Sequence, residues 1–423
     1  MTNQGCSAEE LSSYYTIVVA IDFGTTYSGY SFSFKKKPED IFTQTTWGEI
    51  DEIPSSAKTP TCVLTDAKGK LVAIGYKAQK LFSEMDSQEA RCHRFYSHFK
   101  MKLHTEKNLT KDTKIEDQSG KKTSALDICA MMLKAIKLEM LTVLESQGVE
   151  RVDVNLIRWV LTVPAIWTDG AKQFMRQAAV QAGLVEETDS GNLILALEPE
   201  AASLCCQKLP LAKFAMRGDS SVKLSTGTKY LVLDAGGGTV DITAHKVLKD
   251  NQLEELYWAN GGAMGGNRVN ESFRVLLADI FKGEFMDTYR LRDPGDYNSL
   301  MNKLEIVKKG FNPHDSSSFR LTIGMSNLYE ELFGKKISGC VTPKYTTLGV
   351  KVSNGLIKIP PAVLETIFTP VVNDILSHVD CLFKKDELRG IKIILMVGGF
   401  SNCAFLQQAI KKKFTKCDVL VPK

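Results

Sequence analysis

No apolar run in this 423-residue chain approaches the roughly 20 residues that a membrane-spanning helix needs. The polar stretch from Met1 to Ser13 also lacks the apolar core of a secretory leader. The expected location is therefore the cytoplasm, with the nucleus as a second compartment. Excess charge of one sign is missing too. Lys and Arg number 53 against 49 Asp and Glu, a net charge of +4, which gives nucleic acid or lipid no strong electrostatic hold. Among the ten cysteines no pair has the CxxC spacing, so reduced thiols are expected rather than a disulfide framework or a zinc site. The six histidines contain no HxxxH, and the four tryptophans form no aromatic-cage pattern. The phosphate-binding pattern GxxxxGK[ST] is absent as well.

What is present is an ordinary globular composition, 43% hydrophobic and 24% charged, in a chain long enough for two or more compact units. Tyr14 to Ile21 is a β-rich run that stops at Asp22, and Gly29 to Phe34 follows after a Gly/Thr turn, a hairpin signal. Lys100 to Lys122 is polar and Lys-rich and is expected to be surface loop and edge structure. A helix is predicted from about Ala125 to Gln147, with Ser124 as its cap and Gly148 as its stop. Ile157 to Val163 reads as a strand, and Thr168 caps a helix ending near Gly183. Leu209 to Thr228 shows little periodicity and reads as an inserted loop or hinge. Strands follow at Tyr230 to Asp234 and Val240 to Val247. Late in the chain Ile391 to Val397 is a buried strand, followed by Gly398, Gly399 and a helix through Lys413.

The segments VVAIDFGTT (Val18 to Thr26) and YLVLDAGGGT (Tyr230 to Thr239) share one design. Each is an apolar strand, an Asp, a Gly/Thr turn and a second strand. One such turn alone is merely a tight turn. Two copies some two hundred residues apart point to a duplicated domain, each half offering one hairpin to a shared cleft. Glycine turns let backbone N–H groups approach phosphate oxygens closely. Asp22 and Asp234 would repel phosphate by themselves. They make sense with Mg²⁺ held between carboxylate and phosphate, since that ion prefers oxygen ligands. Strand alternation puts Asp241 on the same face as Thr239.

These residues carry a family resemblance. AIDFGTTYSGYSF and YLVLDAGGGTVDIT resemble the two phosphate loops of the 70-kDa heat-shock protein ATPase domain. WVLTVPAIWTDGAKQFMRQAAVQAGL with LALEPEAAS is similar to its connecting segment, and LMVGGFSNCAFLQQAI to its adenosine segment. AIDFGTTYSGY, KMKLH and LEPEAAS resemble an atypical branch, that of heat shock 70 kDa proteins 12A and 12B. The resemblance implies an α/β, duplicated ribonuclease-H-like (actin-like ATPase) fold, with two lobes around a nucleotide cleft that takes ATP or ADP with Mg²⁺. It implies a tail over 1–13, a first lobe over 14–208, a hinge over 209–228 and a second lobe over 229–423.

The resemblance also implies roles. Asp22 and Asp234 hold the metal. Gly24, Thr25, Thr26 and Tyr27 wrap the phosphates from one side, and Gly236, Gly237, Gly238 and Thr239 from the other. Asp241 and Glu198 lie near the metal and the attacking water. Lys102 positions that water; KMK can also be aligned on Lys100, and Lys102 reads equally well as a solvated surface lysine. Gly265 and Gly266 touch ribose and phosphate, while Glu305, Lys308 and Lys309 contact adenosine. The last three also fit an exposed amphipathic helix with an internal ion pair. Gly398 and Gly399 pack against adenine.

The chain departs from the family pattern in three places. Phe400, Ser401 and Asn402 stand where Ser-Thr-Arg is usual, so the arginine that stacks on adenine is missing. Asn267 replaces an acidic residue. The chain stops at Lys423, where the resemblance implies a further helix, a linker and a substrate-binding domain. The second lobe is thus expected to be incomplete, with the tail Asp418 to Val421 having little to pack beneath. Three functions compete: a chaperone-like, slow ATPase; a nucleotide-binding scaffold with little turnover; and a small-molecule kinase, for which no acceptor-site Asp is left over. Nucleotide is the expected partner, and the resemblance allows client or helper proteins without naming them.

Overall fold

The structure, a computed structural model, describes residues 14–47, 56–106, 109–149, 152–208, 214–215 and 224–422. The expected tail over 1–13 and much of the expected hinge lie outside them. The chain divides into two compact units. Unit 1 takes the chain up to Phe82 and Gln88–Glu198, and unit 2 takes Ser83–Ser87 and the chain from Pro199 onward.

Unit 1 is built on β1 (Ile17–Phe23), β2 (Tyr27–Phe34), β3 (Lys37–Thr43), β4 (Ile157–Val163) and β5 (Leu193–Leu197), in the order β5-β4-β1-β2-β3. The strands β1, β4 and β5 run parallel, while β1, β2 and β3 form an antiparallel meander. Alternation along β1 places Ile17, Val19, Ile21 and Phe23 in the main core and leaves Asp22 on the opposite face. That core is closed by α1 (Lys100–Thr105), α2 (Ala125–Ser146) and α3 (Asp169–Gln181). The Ser124 hydroxyl accepts the Asp127 amide at 3.3 Å and the Thr168 hydroxyl accepts that of Ala171, as the capping pattern predicts. Gly148, at φ +83°, ends α2 in the left-handed region.

The stretch expected to be surface loop differs. It opens with α1, whose Lys100 and Leu103 are buried, and the edge structure is confined to the paired strands Lys114–Glu116 and Lys122–Ser124. Two apolar residues, Phe99 and Leu103, suffice to bury one side of this short helix.

Unit 2 repeats the plan with β6 (Lys229–Ala235), β7 (Val240–Val247), β8 (Leu253–Gly262), β9 (Ile393–Val397) and β10 (Asp418–Pro422), in the order β10-β9-β6-β7-β8. Again three strands are parallel and three form the meander. The correspondence strand for strand is the duplication that the two Asp-Gly-Thr segments announced. The sheet is covered on one face by α5 (Asn267–Phe281), α6 (Pro294–Gly310), α7 (Pro361–Phe383) and α8 (Ala404–Lys413). Tyr230, Val232, Ile393, Leu395 and Leu420 form a smaller core on the other face with Cys206 of α4 (Glu198–Lys208). Being buried on both faces is why β6 reads as a continuous apolar run.

The tail corrects an expectation. Val419, Leu420 and Val421 are buried. Asp418 to Leu420 pair in parallel with β9, while Val421 and Pro422 pair with Phe214–Ala215, a short strand inside the stretch expected to be loop. The nine cysteines among the described residues are free thiols. No helix among the described residues is long and apolar enough to cross a membrane.

Candidate functional site

In unit 1 the site starts from the β1–β2 turn. Asp22 lies across the hairpin from Gly29. Its Oδ1 accepts from the Thr162 hydroxyl of β4 at 3.1 Å, and its Oδ2 accepts from the Lys58 ammonium. Burial alone would raise the Asp22 pKa. The charge and hydrogen bond of Lys58, with the charge of Lys100 and the Thr162 bond, hold the carboxyl below its usual range. The turn's backbone oxygens are tied back into the unit. Gly24 O accepts from the Thr61 hydroxyl at 2.8 Å, and Thr26 O accepts the Thr61 amide at 2.8 Å. A Cβ on Gly24 would lie 2.2 Å from Tyr27 O, so the turn closes only on glycine. Thr25, Thr26 and Tyr27 are half-buried along it.

Strand β5 leads into Glu198, the first residue of α4. Its Oε1 accepts from Lys100 Nζ at 2.7 Å. The Lys100 side chain is 2% exposed, and its ammonium lies 5.1 Å from the Trp167 ring centroid. Lys102, the lysine singled out from the sequence, instead pairs with Glu106 at 3.1 Å and is 44% exposed. Of the two lysines in KMK, the structure brings Lys100 to the acidic residue.

In unit 2, Asp234 and Asp241 face each other across the β6–β7 hairpin, 8% and 1% exposed. Two buried carboxylates side by side favour a cation between or beside them. The turn after Asp234 is tied back as in unit 1, more completely. Gly236 O, Gly237 O and Gly238 O accept the amides of Gly266, Asn267 and Gly265 at 3.1, 2.7 and 3.1 Å. Because the peptide is planar and trans, the N–H groups of Gly237, Gly238 and Thr239 each point away from the carbonyl bond of the residue before them. A Cβ on Gly265 would sit 2.5 Å from Gly237 O. Gly398, at φ +85°, would carry a Cβ 2.3 Å from Asp234 Oδ1. Gly398 and Gly399 are exposed.

Beside Gly266, Lys308 is buried. Its Nζ donates to Glu305 Oε1 at 2.8 Å, Asn270 Oδ1 at 3.1 Å and Gly266 O at 3.3 Å, and Asn270 Nδ2 donates to the same Glu305 oxygen at 2.7 Å. The exposed amphipathic helix is thus not what Glu305 and Lys308 build; they form a largely buried network that fixes Gly266. Lys309 points to the exposed side of α6. The Phe400 ring lies where a Gly266 Cβ would meet it at 3.2 Å and is 3% exposed, so it packs beneath the glycine turn.

The Hsp70 protein family matches residues 18–338, which include both phosphate-loop segments. The chain belongs to the Hsp70 family. Its fold is accordingly that of the actin-like ATPase domain. Among relatives of this Hsp70 chain, heat shock 70 kDa protein 12A of Homo sapiens is 35% identical over 96% of the chain. Heat shock 70 kDa protein 12B of Homo sapiens is 33% identical over 94% of it. Chaperone protein DnaK of Thermoplasma volcanium is 26% identical over 60% of the chain and 35% of its own length. The chain spans 67% and 64% of the lengths of the two human proteins, about two thirds.

Four residues of this Hsp70 chain that the sequence reading did not assign contact its candidate site residues: Lys58 and Thr162 on Asp22, Lys100 on Glu198, and Asn270 on Glu305 and Lys308. Lys100 alone had a local signal, the ambiguous KMK.

Proposed function

We propose that this Hsp70-family chain binds ATP and ADP with Mg²⁺ and hydrolyses ATP slowly, as a chaperone-like switch. The observation that carries the reading is the repeated hairpin. In each unit an Asp ends a central strand, and a glycine turn is tied back by its carbonyls. In unit 2 the amides of Gly237, Gly238 and Thr239 hold phosphate oxygens, and in unit 1 Thr25, Thr26 and Tyr27 form the corresponding phosphate loop. Asp22 in unit 1 and the pair Asp234 and Asp241 in unit 2 are the carboxylates that would hold hydrated Mg²⁺, and when bound that ion offsets phosphate charge. Lys100 and Glu198 orient the attacking water, a positional and electrostatic form of catalysis. Glu305 and Lys308 fix the Gly266 turn against ribose, and Gly398 and Gly399 lie along adenine.

A second reading, binding without useful turnover, is supported by one observation. Phe400 is packed inside unit 2 and Asn402 stands in the place of the adenine-stacking arginine, so the base is held by less than the family usually supplies. Single-turnover hydrolysis of ATP with Mg²⁺, measured beside ATP and ADP binding, separates the two. Phosphate release at a rate above the uncatalysed background supports the switch. Saturable binding with no release supports the scaffold.

A further inference from the structure

Lys58 is unexplained by the family-wide roles, yet unit 1 is built around it. The segment that carries it is stitched to the first phosphate turn. Thr59 and Pro60 pair with Ser28 and Tyr27, and Thr61 bonds Gly24 O, Thr26 O and the Ser28 hydroxyl. Between Lys58 and Asp22 lies Gly29, the residue directly across the hairpin from Asp22. A Cβ on Gly29 would lie 3.2 Å from Lys58 Cγ and 2.5 Å from Ala57 O. The missing side chain is the passage through which the lysine stem reaches the carboxylate. At the corresponding place in unit 2, across from Asp234, stands Asp241 rather than a glycine. One half of the repeat therefore gains a negative charge where the other admits a positive one.

We propose that Lys58 is a built-in cation of the nucleotide site, which takes over part of the charge compensation that Mg²⁺ otherwise supplies at Asp22. The proposal rests on the nucleotide reading above and adds to it a weak dependence on divalent metal. The reasoning is electrostatic. A bare Asp22 beside phosphate repels it, and something positive must sit on Asp22 for the anion to approach. The Lys58 ammonium donates to Asp22 Oδ2, so the carboxylate carries its counter-charge before an anion arrives. The Lys58 side chain is 47% exposed, so its charge lies where solvent reaches it.

The test is equilibrium binding of ATP to the full chain by calorimetry, in excess Mg²⁺ and again in EDTA, for wild type, Lys58→Met and Lys58→Arg. The readout is the ratio of Kd in EDTA to Kd in Mg²⁺. Wild type should lose no more than about tenfold on removal of metal, and Lys58→Met at least about tenfold more than wild type, the equivalent of one charge-assisted hydrogen bond. Lys58→Arg should restore the wild-type ratio. Equal ratios in wild type and Lys58→Met, with matched melting curves, overturn the proposal. Absence of ATP binding in both buffers overturns the nucleotide reading, and this one with it.

Discussion

Lys100 Nζ lies 2.7 Å from Glu198 Oε1, and the lysine side chain is almost wholly buried while the glutamate is 20% exposed. The pair joins the start of α1 to the end of β5 within one unit. Lys100→Ala should cost about 3 kcal/mol, the lower end for breaking a buried pair, because Glu198 keeps some water. Lys102→Ala should fall within about 0.5 kcal/mol of wild type, since its pair with Glu106 is exposed. Denaturant melts of the two variants check the contrast. If Lys102→Ala is the more damaging, α1 is seated differently from this account.

The sequence could not choose between these lysines for a geometric reason. At about 100° per residue, Lys100 and Lys102 lie on either side of the Phe99/Leu103 stripe, each about 80° from its centre. Only the tertiary position of Glu198 decides. The hairpins, by contrast, were legible to within three residues, because each is announced locally by an apolar strand, an Asp and a glycine turn. Ser124 and Gly148 likewise marked the ends of α2 by local chemistry. The tail at Asp418 to Val421 was misjudged because one of its partners, Phe214–Ala215, is only two residues long and sits in a stretch without periodicity. Lys58 had no local signal, for its contact with Asp22 spans 36 residues and depends on the absence of a side chain at Gly29.

Gly265→Ala should act through space rather than chemistry. Its Cβ would strike Gly237 O at 2.5 Å, and backbone on both sides leaves little room to relax. The expected loss is about 1–3 kcal/mol of stability, together with most of the melting-temperature rise that ATP produces. Melting curves with and without ATP measure both. A variant with full ATP-induced stabilisation would detach the Gly265 contact from the phosphate turn.

Lys308→Met leaves Glu305 and Asn270 without their shared cation and should cost about 2–4 kcal/mol. The double variant Glu305→Gln/Lys308→Met should recover part of that loss, because no lone charge stays buried. Chemical denaturation of the single and double variants gives the coupling energy. Strict additivity would show that the network in unit 2 is not cooperative.

Unit 2 should weaken in mild acid through His245. The ring is 2% exposed, its Nε2 is 2.8 Å from the Thr243 hydroxyl, and burial lowers its pKa from 6.5 to about 4. The unfolded chain binds the proton at the higher pH, so the stability that the neutral ring contributes is complete above pH 6.5. It is lost as pH falls from there to about 4, by roughly 3 kcal/mol in all. His245→Gln should flatten that part of the stability profile. An unchanged slope between pH 6.5 and 4 in the variant would assign the acid sensitivity to other groups.

The central claim is that the Asp and glycine-turn hairpins bind a magnesium nucleotide, and calorimetric titration of the full chain with ATP in the presence of Mg²⁺, for wild type and Asp234→Asn, tests it most directly. The account predicts saturable binding of one ATP per chain. It also predicts that Asp234→Asn binds at least about tenfold more weakly while melting as wild type does without nucleotide, as expected for loss of one charged ligand group. Absence of saturable binding by the wild-type chain, or equal affinity in the variant, would contradict it.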